Sequence, residues 1–297
     1  MSWQFERVAG PFAFTEGPAW DGAGVLFTDI PNSRIMRYDP STGETAEART
    51  GTQQANGLMF DQSGRLFACE GGGRRIALYD GERTVSIVDR YEGKRFNSPN
   101  DLAFDSAGRL WFTDPRYGAE DDLELTHQSV YRCDPADGGA WSLTRASFDT
   151  TKPNGLLVSP DCKTLYVAQS EYGEGRPREL RAYPILEDGS VGEYETLHNF
   201  YPHRGIDGMC LDSEGRIVAT AGWEESGPGP MIYVFEPSGR VLETHPIEAK
   251  PTNCTWGGDD LQTLYVTAGG CLYRAETDLR GFLIYPSDGA VQQGYLL

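Results

Sequence analysis

Apolar and polar residues alternate along this chain in short bursts, and the bursts come in sets. In the second set the runs GLMF, RLFAC, RIALY and TVSIV are separated by the turn-type segments DQSG, EGGG and DGER. Short runs rich in β-branched and aromatic residues, closed by Gly, Asp and Ser, predict strands joined by tight turns. No segment sustains the period of an amphipathic helix.

The sets are versions of one motif: a polar residue, usually followed by Gly, then an apolar strand, a turn, a second strand, and a third ending near Asp or Pro. It is read as EGPAWDGAGVLFTDIPNSRIMRYDP from Glu16, NGLMFDQSGRLFACEGGGRRIALYD from Asn56 and NDLAFDSAGRLWFTDPRYG from Asn100. It recurs as NGLLVSPDCKTLYVAQ from Asn154, DGMCLDSEGRIVATAG from Asp207 and NCTWGGDDLQTLYVTAGGCLYRAE from Asn253. The starts are 40, 44, 54, 53 and 46 residues apart. A propeller blade of four strands takes roughly 40 to 50 residues. The expected fold is therefore all-β, a six-bladed β-propeller of four-stranded antiparallel blades around a central channel. No spacer-like stretch interrupts the repeats, so residues 1–297 are expected to form a single domain. A ring of sheets must hide its edges, and FERVA, residues 5 to 9, is placed to close the last blade.

Composition narrows the partners. The 297 residues carry 26 Lys and Arg against 44 Asp and Glu, a net charge of −18. A chain so acidic is repelled by nucleic acid and anionic membrane, whereas a cationic ligand suits it. No apolar run approaches the roughly 20 residues of a membrane-spanning helix. Met1–Gly10 lacks the apolar core of a secretory signal, which makes the cytoplasm the expected compartment. The six cysteines, Cys69, Cys133, Cys162, Cys210, Cys254 and Cys271, stand singly and mostly in strand-like runs. Buried reduced thiols are expected.

In a propeller the start of each innermost strand lies near the axis on one face. The residues at those starts are Glu16, Asn56, Asn100, Asn154, Asp207 and Asn253, and each offers a side-chain oxygen. Asn or Asp before Gly is also ordinary turn chemistry. Glu before Gly-Pro is not, and carboxylates gathered in a narrow channel need a cation to offset their desolvation. Carboxylate and carboxamide oxygens without His or Cys suit one hard divalent ion, Ca²⁺, Mg²⁺ or Mn²⁺; Zn²⁺ or Fe²⁺ is compatible but not implied.

At these residues the sequence resembles the SMP-30/gluconolactonase/luciferin-regenerating-enzyme family of six-bladed propellers. EGPAW, RFNSPNDLAFDSAGRLWFTDPRYG, KPNGL and GIDGMCLDSEG resemble family motifs in the same order over nearly the whole chain. The resemblance implies that Glu16, Asn154 and Asp207 hold a divalent metal, with Asn100 touching substrate, metal or both. It also implies that Asp207 is the general base and that the reaction opens a sugar lactone, of the gluconolactone type, to its acid. A metal-dependent phosphotriesterase or other esterase, or a non-catalytic metal-binding propeller, remains an alternative. The chain lacks G-x-S-x-G and H-E-x-x-H, the signatures of serine hydrolases and zincins.

Insertions in neighbouring repeats complete the expectations. RYGAEDDLELTHQ (116–128), EYGEGRPRE (171–179) and WEESGPGP (223–230) fall between the second and third strands of the third, fourth and fifth repeats. Three enlarged loops would wall one side of a pocket, with Arg116, Tyr117 and His127 as candidate substrate contacts. His203, four residues before Asp207, is another, and Asn56 is expected to hold water or substrate. Glu70–Arg75 and the DQSG, DSAG and DSEG segments are read as hairpin turns, not as a phosphate cradle or calcium loops.

Overall fold

The structure, a computed structural model, describes residues 2–286. Among the described residues there is no α-helix; the chain forms six four-stranded antiparallel sheets and a small hairpin. The first strands are Thr15–Trp20, Ala55–Phe60, Leu102–Phe104, Pro153–Val158, Ile206–Leu211 and Pro251–Gly257. Each packs against the first strand of the next sheet, and the sixth returns to the first, so the ring closes. The fold is a six-bladed β-propeller.

Burial follows radius. In the first blade the innermost strand is buried at every position, whereas the outermost, Glu44–Thr50, is mostly exposed or half-buried. The last blade completes itself with Glu6–Ala9, which pairs antiparallel with Cys271–Glu276 as its outer strand. The expected closing strand is present, and it covers the outer side of Cys271–Glu276, which would otherwise be the edge of a three-stranded blade.

The DQSG, DSAG and DSEG segments are turns held by their own carboxylates. Asp61, Asp105 and Asp212 each accept two backbone amides across the turn through Oδ1 and pair through Oδ2 with the Arg four residues on. An aspartate that satisfies the turn amides directs the hairpin locally.

The glycines after the repeat starts serve the ring rather than a turn. A Cβ on Gly17 would sit 2.1 Å from the carbonyl oxygen of Asn56, and one on Gly208 would sit 2.1 Å from the Asn253 carboxamide. Innermost strands approach so closely at the axis that only hydrogen fits. The channel is blocked at one end: an apolar cavity of about 90 Å³, lined by Leu58, Leu156 and Met209 among others, is bounded by Phe282, Leu283, Ile284 and Tyr285. Five cysteines are buried and Cys162 is half-buried; all six are free thiols.

Candidate functional site

The open end of the axis gathers a polar cluster inside an otherwise apolar ring. Glu16 is 4% exposed, and its Oε2 accepts the Gly17 amide at 2.7 Å. Asn154 donates Nδ2 to Asp207 Oδ1 at 2.6 Å. The Arg204 guanidinium holds Asp207 Oδ2 and also donates to the carbonyls of Gly222 and Pro251, each at 2.9 Å. Those two carbonyls belong to the fifth and sixth blades, so Arg204 fastens the Asp207 strand to its neighbours.

A third carboxylate belongs to the cluster. Asp101 is buried, accepts its neighbour Leu102 N at 2.9 Å, and lies 3.4 Å from Asn253 Nδ2. The third repeat reads Asn100-Asp101 where four others carry Gly in second position, and Gly57 leaves the space that the Asp101 carboxylate fills. Asn100 itself is half-buried and bonds through its backbone, its N–H to Thr113 and its carbonyl to the Gly57 amide. Both bonds fix Asn100 at the ring without engaging its carboxamide. The segment leading to it is pinned by Asp114, whose carboxylate accepts the amides of Asn97 and Ser98, each at 2.8 Å.

Electrostatics set these groups apart from surface acids. Burial, then the Asp207 and Asp101 charges, push Glu16 well above the ordinary carboxylate range. Burial pushes Asp101 up to about 7 against the hydrogen bonds from Leu102 and Asn253. Asp207 is raised too, because burial outweighs Arg204, Asn154 and Lys250. Three carboxylates sharing a site with one directly bonded guanidinium are short of positive charge.

The donor chemistry fits a hard cation. Among the described residues no three His, Cys, Asp or Glu side chains converge closely enough to enclose a metal by themselves. The oxygens available are instead two carboxylates, Glu16 and Asp207, and the carboxamide of Asn154. A site built on those needs amide oxygen and water to complete its shell, which is Ca²⁺- or Mg²⁺-type coordination. The Asn154 amide nitrogen donates to Asp207 here, so it is the carboxamide oxygen that is left to ligate.

Tyr117 joins the cluster from the 116–128 loop. Its outer edge faces solvent, while its hydroxyl donates to Ser170 O at 3.3 Å and lies against the Asn154 carboxamide. It separates two recesses on this face. One, about 250 Å³, is lined by Asn56, Arg74, Arg116, Tyr117 and Asp122 among others, with both arginines paired to Asp122. The other, about 570 Å³, is lined by Tyr172, Arg178, Arg204, Trp223 and Lys250 among others. His203 stands at its rim, Nδ1 being 2.8 Å from Ser226 Oγ.

Two expectations change. The His127 ring packs against Tyr91 and Tyr131, and its Nδ1 is 3.1 Å from Ser129 Oγ, so the structure does not bring it to the cluster. Residues 223–230 form no enlarged loop: Trp223 pairs directly with Ser226, and Ser226–Phe235 is one long strand. Strand pairing there overrides the Gly-Pro-Gly-Pro composition, and Trp223 becomes a projecting wall. Arg204 and Asp101 are the participants that sequence reasoning missed.

A family description, the SMP-30/gluconolactonase/LRE-like region, matches residues 14–270. A gluconolactonase of Zymomonas mobilis is 32% identical across 95% of this chain and 83% of its own length. A pentonolactonase of Haloferax volcanii is 30% identical, covering 86% of this chain and 81% of that protein. The solved structure of a gluconolactonase from Xanthomonas campestris superposes with a TM-score of 0.80 at 32% identity, over 93% of this chain and 89% of that one.

Proposed function

The chain belongs to the SMP-30/gluconolactonase/LRE-like family, and from that premise we propose that it is a sugar lactonase, opening aldonolactones to aldonic acids with the help of one divalent cation. The observation that carries the reading is the cluster of buried Glu16 and Asn154 with half-buried Asp207 at the open mouth of a channel blocked behind it. Lactonases among the relatives give the substrate class.

Glu16, Asp207 and the Asn154 carboxamide oxygen would hold the ion, with Asn100 beside them. Bound there, a hard divalent cation supplies a Lewis acid for the lactone carbonyl and a counter-charge for the oxyanion.

The chain's own groups do the rest. Asp207 is the general base: it takes a proton from water as the water oxygen bonds to the carbonyl carbon. The ring C–O bond then breaks, and the proton passes to the departing alkoxide, giving the open hydroxy acid. A base works best when its pKa lies near the operating pH, and the raised Asp207 moves in that direction. Asn154 and Arg204 fix the two carboxylate oxygens, so the base has one orientation. Tyr117, with its hydroxyl end buried and its edge exposed, flanks the entering ring, and Asn56 and Arg116 line the recess on its far side. His203 stands farther out, at the rim beside Ser226, where it meets the sugar's hydroxyls before Asp207 does.

The test is acid release from a panel of aldonolactones. Chelator-stripped protein receives single divalent ions, spontaneous hydrolysis is subtracted, and Asp207→Asn is the control. Turnover that requires both an ion and Asp207 supports the reading. An ion-binding protein that opens no lactone above background refutes the substrate class.

A further inference from the structure

The larger recess beside Asp207 departs from the electrostatics of the molecule. The chain carries −18 overall, yet this cavity of about 570 Å³ is lined by Arg178, Arg204 and Lys250 and by no carboxylate. The three cations are not equally occupied. Arg204 is bound to Asp207. Arg178 donates only to backbone carbonyls, those of Glu171, Gly173, Pro202 and His203. Carbonyls orient a guanidinium without neutralising it. Lys250 is held through its backbone N–H by Glu224, while its ammonium lies 5.8 Å from the Phe14 ring. Among the described residues neither Arg178 nor Lys250 has an ion-pair partner.

The recess on the other side of Tyr117 provides the contrast. Its two arginines, Arg74 and Arg116, both pair with Asp122. Two recesses on one face thus differ in that every cation of the smaller one has an ion-pair partner, whereas two of the larger one have none. Holding unpaired cations together is unfavourable by itself, which makes the pairless recess a place where an anion lowers the free energy. The remaining walls are Tyr172 and Trp223, both substantially exposed and flat enough to take the face of a sugar. The volume falls in the range of small-molecule sites.

We propose that this recess is the subsite for an anionic substituent of the substrate, so that the preferred lactone carries a carboxylate, sulfonate or phosphate remote from the ring ester. This deepens the lactonase reading and rests on it for the position of the reacting carbonyl. The lactone lies over Asn154 and Asp207, its body runs along Tyr172 and Trp223, and the charged end meets Lys250 and Arg178. The neutral lactone fits the same site but leaves the cations unpaired.

The experiment compares kcat/KM for a neutral aldonolactone and for the same lactone bearing a terminal carboxylate, sulfonate or phosphate, using wild type, Lys250→Gln and Lys250→Arg. Expected is a preference of at least tenfold for one or more anionic lactones, with the three substituents ranking the anion. Lys250→Gln should lower that preference about tenfold, mainly through KM, and because any effect of the Lys250 charge on Asp207 falls on both lactones alike, it cancels in the ratio; Lys250→Arg should restore the preference. Equal activity on neutral and anionic lactones, or an equal loss on both in Lys250→Gln, overturns the proposal. A calorimetric arm separates it from the lactonase reading by comparing gluconate with its 6-phosphate as ligands. If no lactone turns over but the phosphorylated acid binds at least tenfold tighter and Lys250→Gln abolishes the difference, the subsite stands and the lactonase reading falls. If turnover is absent and the two acids bind alike, both fall.

Discussion

Arg204→Met is the sharpest probe of the charge balance at the axis. Arg204 is buried, and its guanidinium supplies the counter-charge to Asp207 as well as hydrogen bonds to Gly222 O and Pro251 O. Met keeps most of the volume and removes all three interactions. Breaking one side of a buried ion pair costs about 3–5 kcal/mol, because the remaining charge is left in a poorly solvating site. For a chain of this size about 2 °C of Tm accompanies each kcal/mol, so the ion-free variant is expected to melt about 6–10 °C below wild type. The ion changes the comparison. A cation held by Glu16 and Asp207 does for Asp207 what Arg204 does, and the two compete for the same carboxylate. An ion at about 100 times its Kd stabilises the native state by about 2.7 kcal/mol. The variant, lacking the competitor, should bind the ion more tightly and recover most of its deficit when it is added. Differential scanning calorimetry on chelated and Ca²⁺-loaded samples reads both quantities, with Arg204→Lys as the charge-retaining control. An equal Tm deficit with and without ion, together with unchanged ion affinity, would show that Arg204 and the ion do not meet at Asp207, and the ligand assignment would fail.

Other consequences are read more simply. Asp207→Asn should keep the fold, by an unchanged far-ultraviolet spectrum, and lose about 10²–10⁴ in kcat, the usual contribution of a positioned general base. Asp101 has a folded value of about 7, above the ordinary 3.8. Its neutral form therefore favours the fold below about pH 4, and that contribution is lost as pH rises to about 7. In chelated protein the Tm of wild type should fall relative to Asp101→Asn across that window, and parallel curves would contradict the raised value. Gly208→Ala places a methyl 2.1 Å from Asn253, and overpacking of this kind costs about 1–3 kcal/mol or more, measurable as a lower urea midpoint. The ring closed by Glu6–Ala9 is proposed to be one domain, so calorimetry should give a single transition that deletion of residues 1–9 shifts to lower temperature.

The sequence makes the ring legible because the repeat is carried by residues that act locally. Asp61, Asp105 and Asp212 each direct their own hairpin through the amides two and four residues away, so turn, strand and turn can be read without knowing the tertiary structure. The repeat starts are legible too, but for a different reason from the one their composition suggests. Asn-Gly and Asp-Gly look like turns, whereas Gly155 and Gly208 lie in strands where the next blade's chain leaves no room for a side chain.

What repetition hides is the departure that carries charge. Asn100 occupies the repeat position, yet it is the following Asp101 that sends its carboxylate inward, into the space that Gly57 vacates on the neighbouring blade. The signal was present as the one acidic residue in a column of mostly glycines, but its meaning depends on which strand lies alongside. Arg204 is harder still to read. Three residues before Asp207 and in no motif, it acquires its role only because the carbonyls of Gly222 and Pro251, 18 and 47 residues away in sequence, converge on it. Local hydrogen bonding therefore specifies the scaffold, while the charge balance of the site is a property of contacts between blades. That division explains why the propeller and its axial oxygens can be read along the chain, while the cations that surround Asp207 cannot.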